Sequence, residues 1–279
     1  MSTTNTKLPK LAFIGAGNMG GAIIRGLIRQ GYPAELILAT SRDPESLQGL
    51  AAETGIQTST DNLQAVATAD LVVLGVKPQA MKAVCTELAS GVQARRPLVL
   101  SIAAGLTTEI LLQWLGGSLP LVRSMPNTPS LLGAGVAGLY ALPDVTAEQR
   151  GWVETLFKAV GQALWVESEV QLDAVTAISG SGPAYYFLFT EALVTAGEKL
   201  GLPTDLARQL ALQTAAGAGQ MLVAGTDEPA ELRRKVTSPG GTTERAVLTF
   251  EAADLRGMVE AATAAAAKRA AELAETLKG

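Results

Sequence analysis

Leu11-Ala12-Phe13-Ile14-Gly15-Ala16-Gly17-Asn18-Met19-Gly20 joins an apolar run to a glycine-rich turn and then to the opening of a helix-like stretch. Strand, turn and helix in that order, close to the start of a chain, form the first unit of a dinucleotide-binding βαβ fold, whose fingerprint is Gly-x-Gly-x-x-Gly. The three glycines serve different ends. Gly15 allows the tight turn, Gly17 lets a pyrophosphate approach the backbone, and Gly20 lets the helix pack against the strand. The spacing alone is weak, because glycines also serve plain turns. The strand before it and the helix after it supply the specificity. Ala16, Asn18 and Met19 complete the candidate cofactor loop.

Working outward, apolar runs over 11–15, 36–40, 71–76, 97–102 and 119–124 read as buried strands separated by amphipathic segments of helical length. This is the pattern of βαβ units in a doubly wound, mostly parallel sheet. Two further strands are predicted over 136–141 and 163–166, with a helix over 146–160 between them. After Glu167 the strand signals stop. From there the chain reads as helices, broken at Gly180-Ser181-Gly182-Pro183, at Gly201-Leu202-Pro203, over 225–229 and at Pro239-Gly240-Gly241. The expected architecture is α/β: a Rossmann domain over 1–166, then an all-α domain over 167–279 of a kind that often dimerises. Leu255, Met258, Val259, Leu273 and Leu277 give the Ala-rich last helix an intermittent apolar face.

The 279 residues suffice for two domains with a sizeable core. A net charge of −4 argues against a nucleic-acid surface, which carries a basic face. No run is long and apolar enough to span a membrane, and residues 1–8 lack the apolar core of a signal peptide, so a cytoplasmic protein is expected. The chain contains no histidine, which removes Ser-His-Asp chemistry and histidine-ligated zinc, and no metal site is expected. Cys85, the single cysteine, rules out an internal disulfide and reads as a buried structural thiol.

The end of the second strand distinguishes the dinucleotides. An NAD site usually carries an acidic residue there to bind the ribose 2′-hydroxyl. This chain has Ala39-Thr40-Ser41-Arg42 instead. Ser41 can hydrogen-bond a 2′-phosphate and Arg42 can pair with it, which favours NADPH, with NADH the weaker alternative. Asp43 reads as the cap of the helix that starts at Pro44. Val76-Lys77-Pro78-Gln79 closes another strand at the crevice where such sheets hold their ligands.

Three later segments are candidates for the substrate. Ser124-Met125-Pro126-Asn127-Thr128-Pro129 is constrained by two prolines and offers Asn127 as donor and acceptor. Gly180-Ser181-Gly182-Pro183-Ala184-Tyr185 interrupts a helical run at a cost in stability, which points to close packing or a substrate loop containing Ser181. Ser238-Pro239-Gly240-Gly241-Thr242-Thr243 runs into a helix; its N–H groups form a nest for an anion, with hydroxyls beside it. An ordinary glycine-rich cap between two helices would look the same.

The five segments GAGNMG, VKPQ, SMPNTP, GSGPAY and SPGGTT, in this order and approximate spacing, resemble those of pyrroline-5-carboxylate reductases. The resemblance covers nearly the whole chain and implies reduction of a cyclic imine to L-proline, the last step of proline biosynthesis. It further implies that Val76, Lys77, Pro78, Ala103 and Ala104 lie along the cofactor. Ser238, Gly240, Gly241 and Thr242 would hold the substrate carboxylate, and Thr243 would hydrogen-bond the ring nitrogen. A homodimer formed by the helical domain follows from the same resemblance, and some members assemble further into rings of dimers. Many relatives have Ala where this chain has Thr242, which leaves two neighbouring hydroxyls as candidates for the imine contact. Three rival readings remain: a β-hydroxyacid dehydrogenase, which needs a catalytic lysine in its second domain; a reductase of another cyclic imino acid; and a non-catalytic NADP-binding regulator.

Overall fold

The structure, a computed structural model, describes residues 8–276. The leader reading of residues 1–7 and the apolar residue Leu277 fall outside them. Eight strands form one sheet: β1 (Leu11–Ile14), β2 (Ile37–Thr40), β3 (Gln57–Ser59), β4 (Leu71–Leu74), β5 (Leu98–Ser101), β6 (Leu121–Met125), β7 (Gly135–Ala141) and β8 (Gly161–Trp165). Their order is β3-β2-β1-β4-β5-β6-β7-β8, and all neighbours are parallel except β6 and β7. The chain therefore leaves β1 toward β2 and β3, then crosses back to place β4 on β1's other side. That reversal opens a crevice beyond the carboxyl ends of β1 and β4.

Alternation along β1 divides the core between the sheet's two faces. Leu11 and Phe13 join Ile23, Ile24 and Leu27 of α1 (Asn18–Arg29), Leu47 and Leu50 of α2 (Pro44–Thr54), and Val153 and Phe157 of α6 (Ala147–Lys158). Ala12 and Ile14 face Val66 of α3 (Asn62–Thr68), Met81, Cys85 and Leu88 of α4 (Pro78–Arg95), and Ile110 and Leu111 of α5 (Thr108–Trp114). Each large apolar side chain fully buried this way contributes roughly 1.5–3 kcal/mol.

All seven strands predicted from the sequence are present, with ends shifted by one or two residues. The eighth, β3, is a three-residue edge strand of polar residues, exposed at Gln57 and Thr58, so no apolar run announces it. The helix predicted over 146–160 is α6, closed by a capping box in which the Thr146 hydroxyl accepts from Gln149 N and the Gln149 side chain accepts from Thr146 N.

Among the described residues every element beyond β8 is helical: α7 (Gln171–Val175), a π-helical turn (Thr176–Gly180), α8 (Gly182–Lys199), α9 (Thr204–Ala224), α10 (Pro229–Lys235), α11 (Thr242–Ala252) and α12 (Leu255–Thr276). The chain forms two compact units, one within 1–180 and 266–279, the other 181–265. In the helical unit Gly197 lets α8 approach α9: a Cβ there would lie 3.0 Å from that of Ala207. The Phe189 and Phe250 rings, 5.9 Å apart, join α8 to α11. Much apolar surface stays uncovered in a single chain, with Phe187 67%, Leu188 68%, Met258 54% and Val259 53% exposed. Among the described residues no helix is long and apolar enough to cross a membrane.

Cys85 is buried, and burial pushes its thiol up to about 12. A thiol-specific reagent at pH 8 is expected to leave the native protein unlabelled and to modify one thiol per chain in denaturant. Rapid labelling of native protein would contradict this burial.

Candidate active site

The turn after β1 carries the first candidate site. Gly15 takes φ +91°, and a Cβ there would lie 2.7 Å from Val76 Cγ1 and 2.8 Å from Val76 N, so only glycine fits where β1 and β4 end side by side. The N–H groups of Gly15 and Ala16 both donate to Thr40 O, at 3.0 and 3.2 Å, which ties the turn to the end of β2. A Cβ on Gly20 would come within 3.1 Å of Gly15 O, so the third glycine keeps α1 close to the turn. Around Gly17 nothing lies within 4 Å of a Cβ position. Gly17 caps α1 without a side-chain bond, and the first turn has no acidic residue. An open backbone, an uncapped helix N-terminus and no competing carboxylate fit a dinucleotide pyrophosphate.

At the rim formed by the end of β2 stand the two residues expected to meet a 2′-phosphate. Arg42 is exposed and has no carboxylate partner among the described residues. Asp43 Oδ1 accepts from Glu45 N at 3.1 Å, so this acid caps α2 as expected. Ser41 Oγ accepts from Asp43 N at 3.1 Å and keeps its own hydrogen to donate. Asn62, at the start of α3 and beside this rim, is a residue that the sequence does not single out. Its Oδ1 accepts from Thr40 Oγ1 at 2.7 Å, and its Nδ2 donates to Glu87 at 3.3 Å. The signal is hidden with β3, after which Asn62 follows.

Lys77 is the N-cap of α4, exposed and without a side-chain bond, and Pro78 occupies the helix's first position. Val76 is half-buried against Gly15. In the loop after β5, Ala103 is buried and Ala104 exposed, and Ser101 O accepts from Ser124 Oγ at 2.8 Å. Asn127 is 8% exposed and its amide is already engaged: Oδ1 accepts from Val136 N at 2.9 Å, and Nδ2 donates to Ser179 O at 3.1 Å. One Nδ2 hydrogen is left for a ligand, while the amide ties β7 and the π-helical turn to the loop after β6.

An unforeseen ion-pair cluster stands below these loops. Glu169 accepts from Thr108 N and Thr108 Oγ1, both at 2.7 Å, and from Arg123 Nη1 at 3.0 Å. The Arg123 side chain is 7% exposed and that of Glu169 22%. One carboxylate thus joins the start of α5, the strand leading to Ser124, and the segment entering α7. Asp173 stands nearby with its carboxyl raised, chiefly by burial; Arg123 opposes the rise and Glu169 adds to it.

In the helical unit, Ser181 is the N-cap of α8 without a side-chain bond. The segment 238–243 forms the expected turn into α11, with Gly240 at φ +73° and Gly241 as N-cap. Arg233 and Arg256 both bond Glu251, at 3.1 and 2.9 Å, and so fix α10 and the start of α12 to α11 on either side of the turn. The hydroxyls of Ser238, Thr242 and Thr243 have no partner among the described residues. Two N–H groups of the expected nest are engaged within the chain: Gly241 N donates to Ser238 O at 3.0 Å, and Gly240 N to Glu244 Oε2 at 2.8 Å. A turn bond holds the first. A side chain that can swing away holds the second.

Comparison with known proteins agrees with both halves. Residues 10–105 match the family model described as NADP oxidoreductase coenzyme F420-dependent, and residues 169–273 match that for pyrroline-5-carboxylate reductase dimerisation. The pyrroline-5-carboxylate reductase of Pseudomonas aeruginosa is 53% identical, over 96% of this chain and 98% of its own length. The solved structure of a pyrroline-5-carboxylate reductase from Coxiella burnetii superposes with a TM-score of 0.93 at 43% identity, covering 96% of this chain and 99% of that one. The Plasmodium falciparum pyrroline carboxylate reductase, solved with NADP bound, gives 0.81 at 28% identity, over 95% and 98% of the two chains. With a glycine cradle at the sheet's point of reversal, an all-helical second unit and near-complete relatives of this identity, the chain belongs to the pyrroline-5-carboxylate reductase family.

Proposed function

We infer that this chain reduces the C=N bond of 1-pyrroline-5-carboxylate to give L-proline, with NADPH as the preferred reductant. The observation that carries the reading is the presence, in one chain of this family, of an open glycine cradle and a glycine turn flanked by unpartnered hydroxyls. When bound, the reduced dinucleotide supplies the hydride. The chain's own residues bind, orient and handle the proton.

In this reading the first-turn N–H groups of α1 and the backbone of 15–20 hold the pyrophosphate. Ser41 and Arg42 hold the 2′-phosphate, and Val76, Lys77, Pro78, Ala103 and Ala104 line the cofactor. In the helical unit the turn 238–243 receives the substrate carboxylate, with Ser181 as a further donor; in the α/β unit the free Nδ2 hydrogen of Asn127 is a candidate donor to the substrate. Thr243 faces the ring nitrogen. A threonine hydroxyl is too weak an acid to be a net proton source, so Thr243 passes a proton on, donating one as it accepts another from water. Protonating the imine nitrogen makes its carbon a better acceptor, which is why the reaction needs no histidine. We take residue 167, just after the last strand, as the functional boundary between the domains. The exposed apolar side chains of the helical unit support a homodimer. A cytoplasmic setting goes with this reading, since the lone thiol needs no oxidising compartment.

The test is the stoichiometry of turnover: NADPH oxidised with pyrroline-5-carboxylate should yield one proline per dinucleotide. Folded protein that binds NADPH but does not turn over would favour the regulator. For the cofactor preference, Arg42→Ala is expected to raise the KM for NADPH about tenfold and to leave that for NADH nearly unchanged, since a charged hydrogen bond contributes about 1.5–3 kcal/mol. Equal changes with both dinucleotides would remove Arg42 from the 2′-phosphate.

A further inference from the structure

Gly240 N–H, one of the donors assigned to the substrate carboxylate, already has a carboxylate on it. Glu244 Oε2 accepts this bond at 2.8 Å. Glu244 is the one acidic residue in the first turn of α11, and no side chain caps that helix at Gly241. Among the described residues no cation pairs with Glu244, so the Gly240 N–H and the α11 N-terminus are its electrostatic partners. Around Gly240 nothing lies within 4 Å of a Cβ position, so a ligand can reach that backbone.

Resting on the reading above, in which the turn 238–243 binds the substrate carboxylate, we propose that Glu244 is a specificity-determining residue. In the free enzyme it occupies the Gly240 N–H, and it gives that donor up to the incoming substrate. One N–H cannot serve two carboxylates well, and two carboxylates at one nest repel each other. Part of the substrate's carboxylate binding is therefore offset by displacing Glu244, which raises KM. The same displacement favours release of the product carboxylate. An imine without a carboxylate gains nothing from the nest and does not displace Glu244.

Glu244→Gln separates this role from simple capping. Gln at the third helical position still accepts from the turn N–H, as in a capping box, so a purely structural Glu244 would leave kinetics unchanged. If Glu244 competes, replacing a charge-assisted bond with a neutral one should lower the KM for 1-pyrroline-5-carboxylate about fivefold. The KM for 1-pyrroline, the same ring without its carboxylate, should not change. Glu244→Ala, which removes the competitor and the cap together, should lower the KM for pyrroline-5-carboxylate at least as far, with α11 helicity checked by circular dichroism. An unchanged or raised KM in Glu244→Gln would overturn the proposal. Failure of the underlying reading shows separately in the wild type, as no reduction of pyrroline-5-carboxylate or as equal kcat/KM for the two imines.

Discussion

Arg123→Ala should destabilise the α/β unit by about 3–5 kcal/mol, the usual cost of removing one partner from a buried ion pair. The geometry places this protein in the costly class. Arg123 on β6 is almost fully enclosed, and its partner Glu169 keeps only neutral bonds to Thr108 once the guanidinium is gone. Exposed pairs such as Arg25–Glu53 or Arg269–Glu272 should contribute less than about 1 kcal/mol each.

The effect should depend on pH. Burial raises the Asp173 carboxyl above its ordinary 3.8, and Arg123 restrains that rise. Without Arg123 the folded-state value climbs further above the unfolded one. The unfolded chain then releases a proton that the folded chain retains, so the variant should lose further stability as pH rises from about 4 toward the raised value. Trp114, Trp152 and Trp165 are the protein's three tryptophans and all belong to this unit, so their fluorescence follows its denaturant unfolding. The comparison must be made at one protein concentration, because association shifts apparent stability. Arg123→Met with Glu169→Gln should recover much of the loss, since Glu169 then carries no buried charge without its partner, while the part of the pH effect that comes from Asp173 losing Arg123 should remain. A single variant as stable as the wild type would show that solvent reaches this pair freely.

Thr243→Ala should lower kcat by about 100-fold, the lower end for a positioned proton donor, while the KM for the cofactor stays near the wild-type value. Thr242→Ala should have a much smaller effect. The two hydroxyls are adjacent on the first turn of α11, both exposed and both without partners among the described residues. Helical geometry turns successive side chains by about 100°, so the two cannot serve one nitrogen equally. Thr243→Ser, which keeps the hydroxyl, should retain most of the turnover. If Thr242→Ala is the damaging change, the imine contact belongs to Thr242 instead. If neither changes kcat, the proton comes from water alone.

Most of the fold is legible in the amino-acid order because burying a parallel sheet on both faces demands continuous apolar strands, as in Leu71–Leu74 and Leu98–Ser101. The glycine cradle is legible for a related reason: Gly15 stands where any Cβ would collide with Val76, so the backbone dictates the residue. Gln57–Ser59 is not legible, since an edge strand of three polar residues has neither length nor periodicity. Nor is the Arg123–Glu169–Thr108 cluster. Glu169 lies 46 positions from Arg123 and 61 from Thr108, and only the closed fold brings them together. Glu244 is a different case. An acid at the third position of a helix after a glycine turn is a visible capping signal, yet such a nest reads as free N–H groups unless its own helix is counted as a source of the anion.

The destination of the hydride separates imine reduction from every rival function. Turnover of pyrroline-5-carboxylate with NADPH deuterated at both C4 positions of the nicotinamide, followed by mass spectrometry and NMR of the product, answers this directly. The expected result is proline with one deuterium on the ring carbon that was doubly bonded to nitrogen and bears no carboxylate. Unlabelled proline, label on the carboxylate-bearing carbon, or oxidation of NADPH without proline would contradict the assignment.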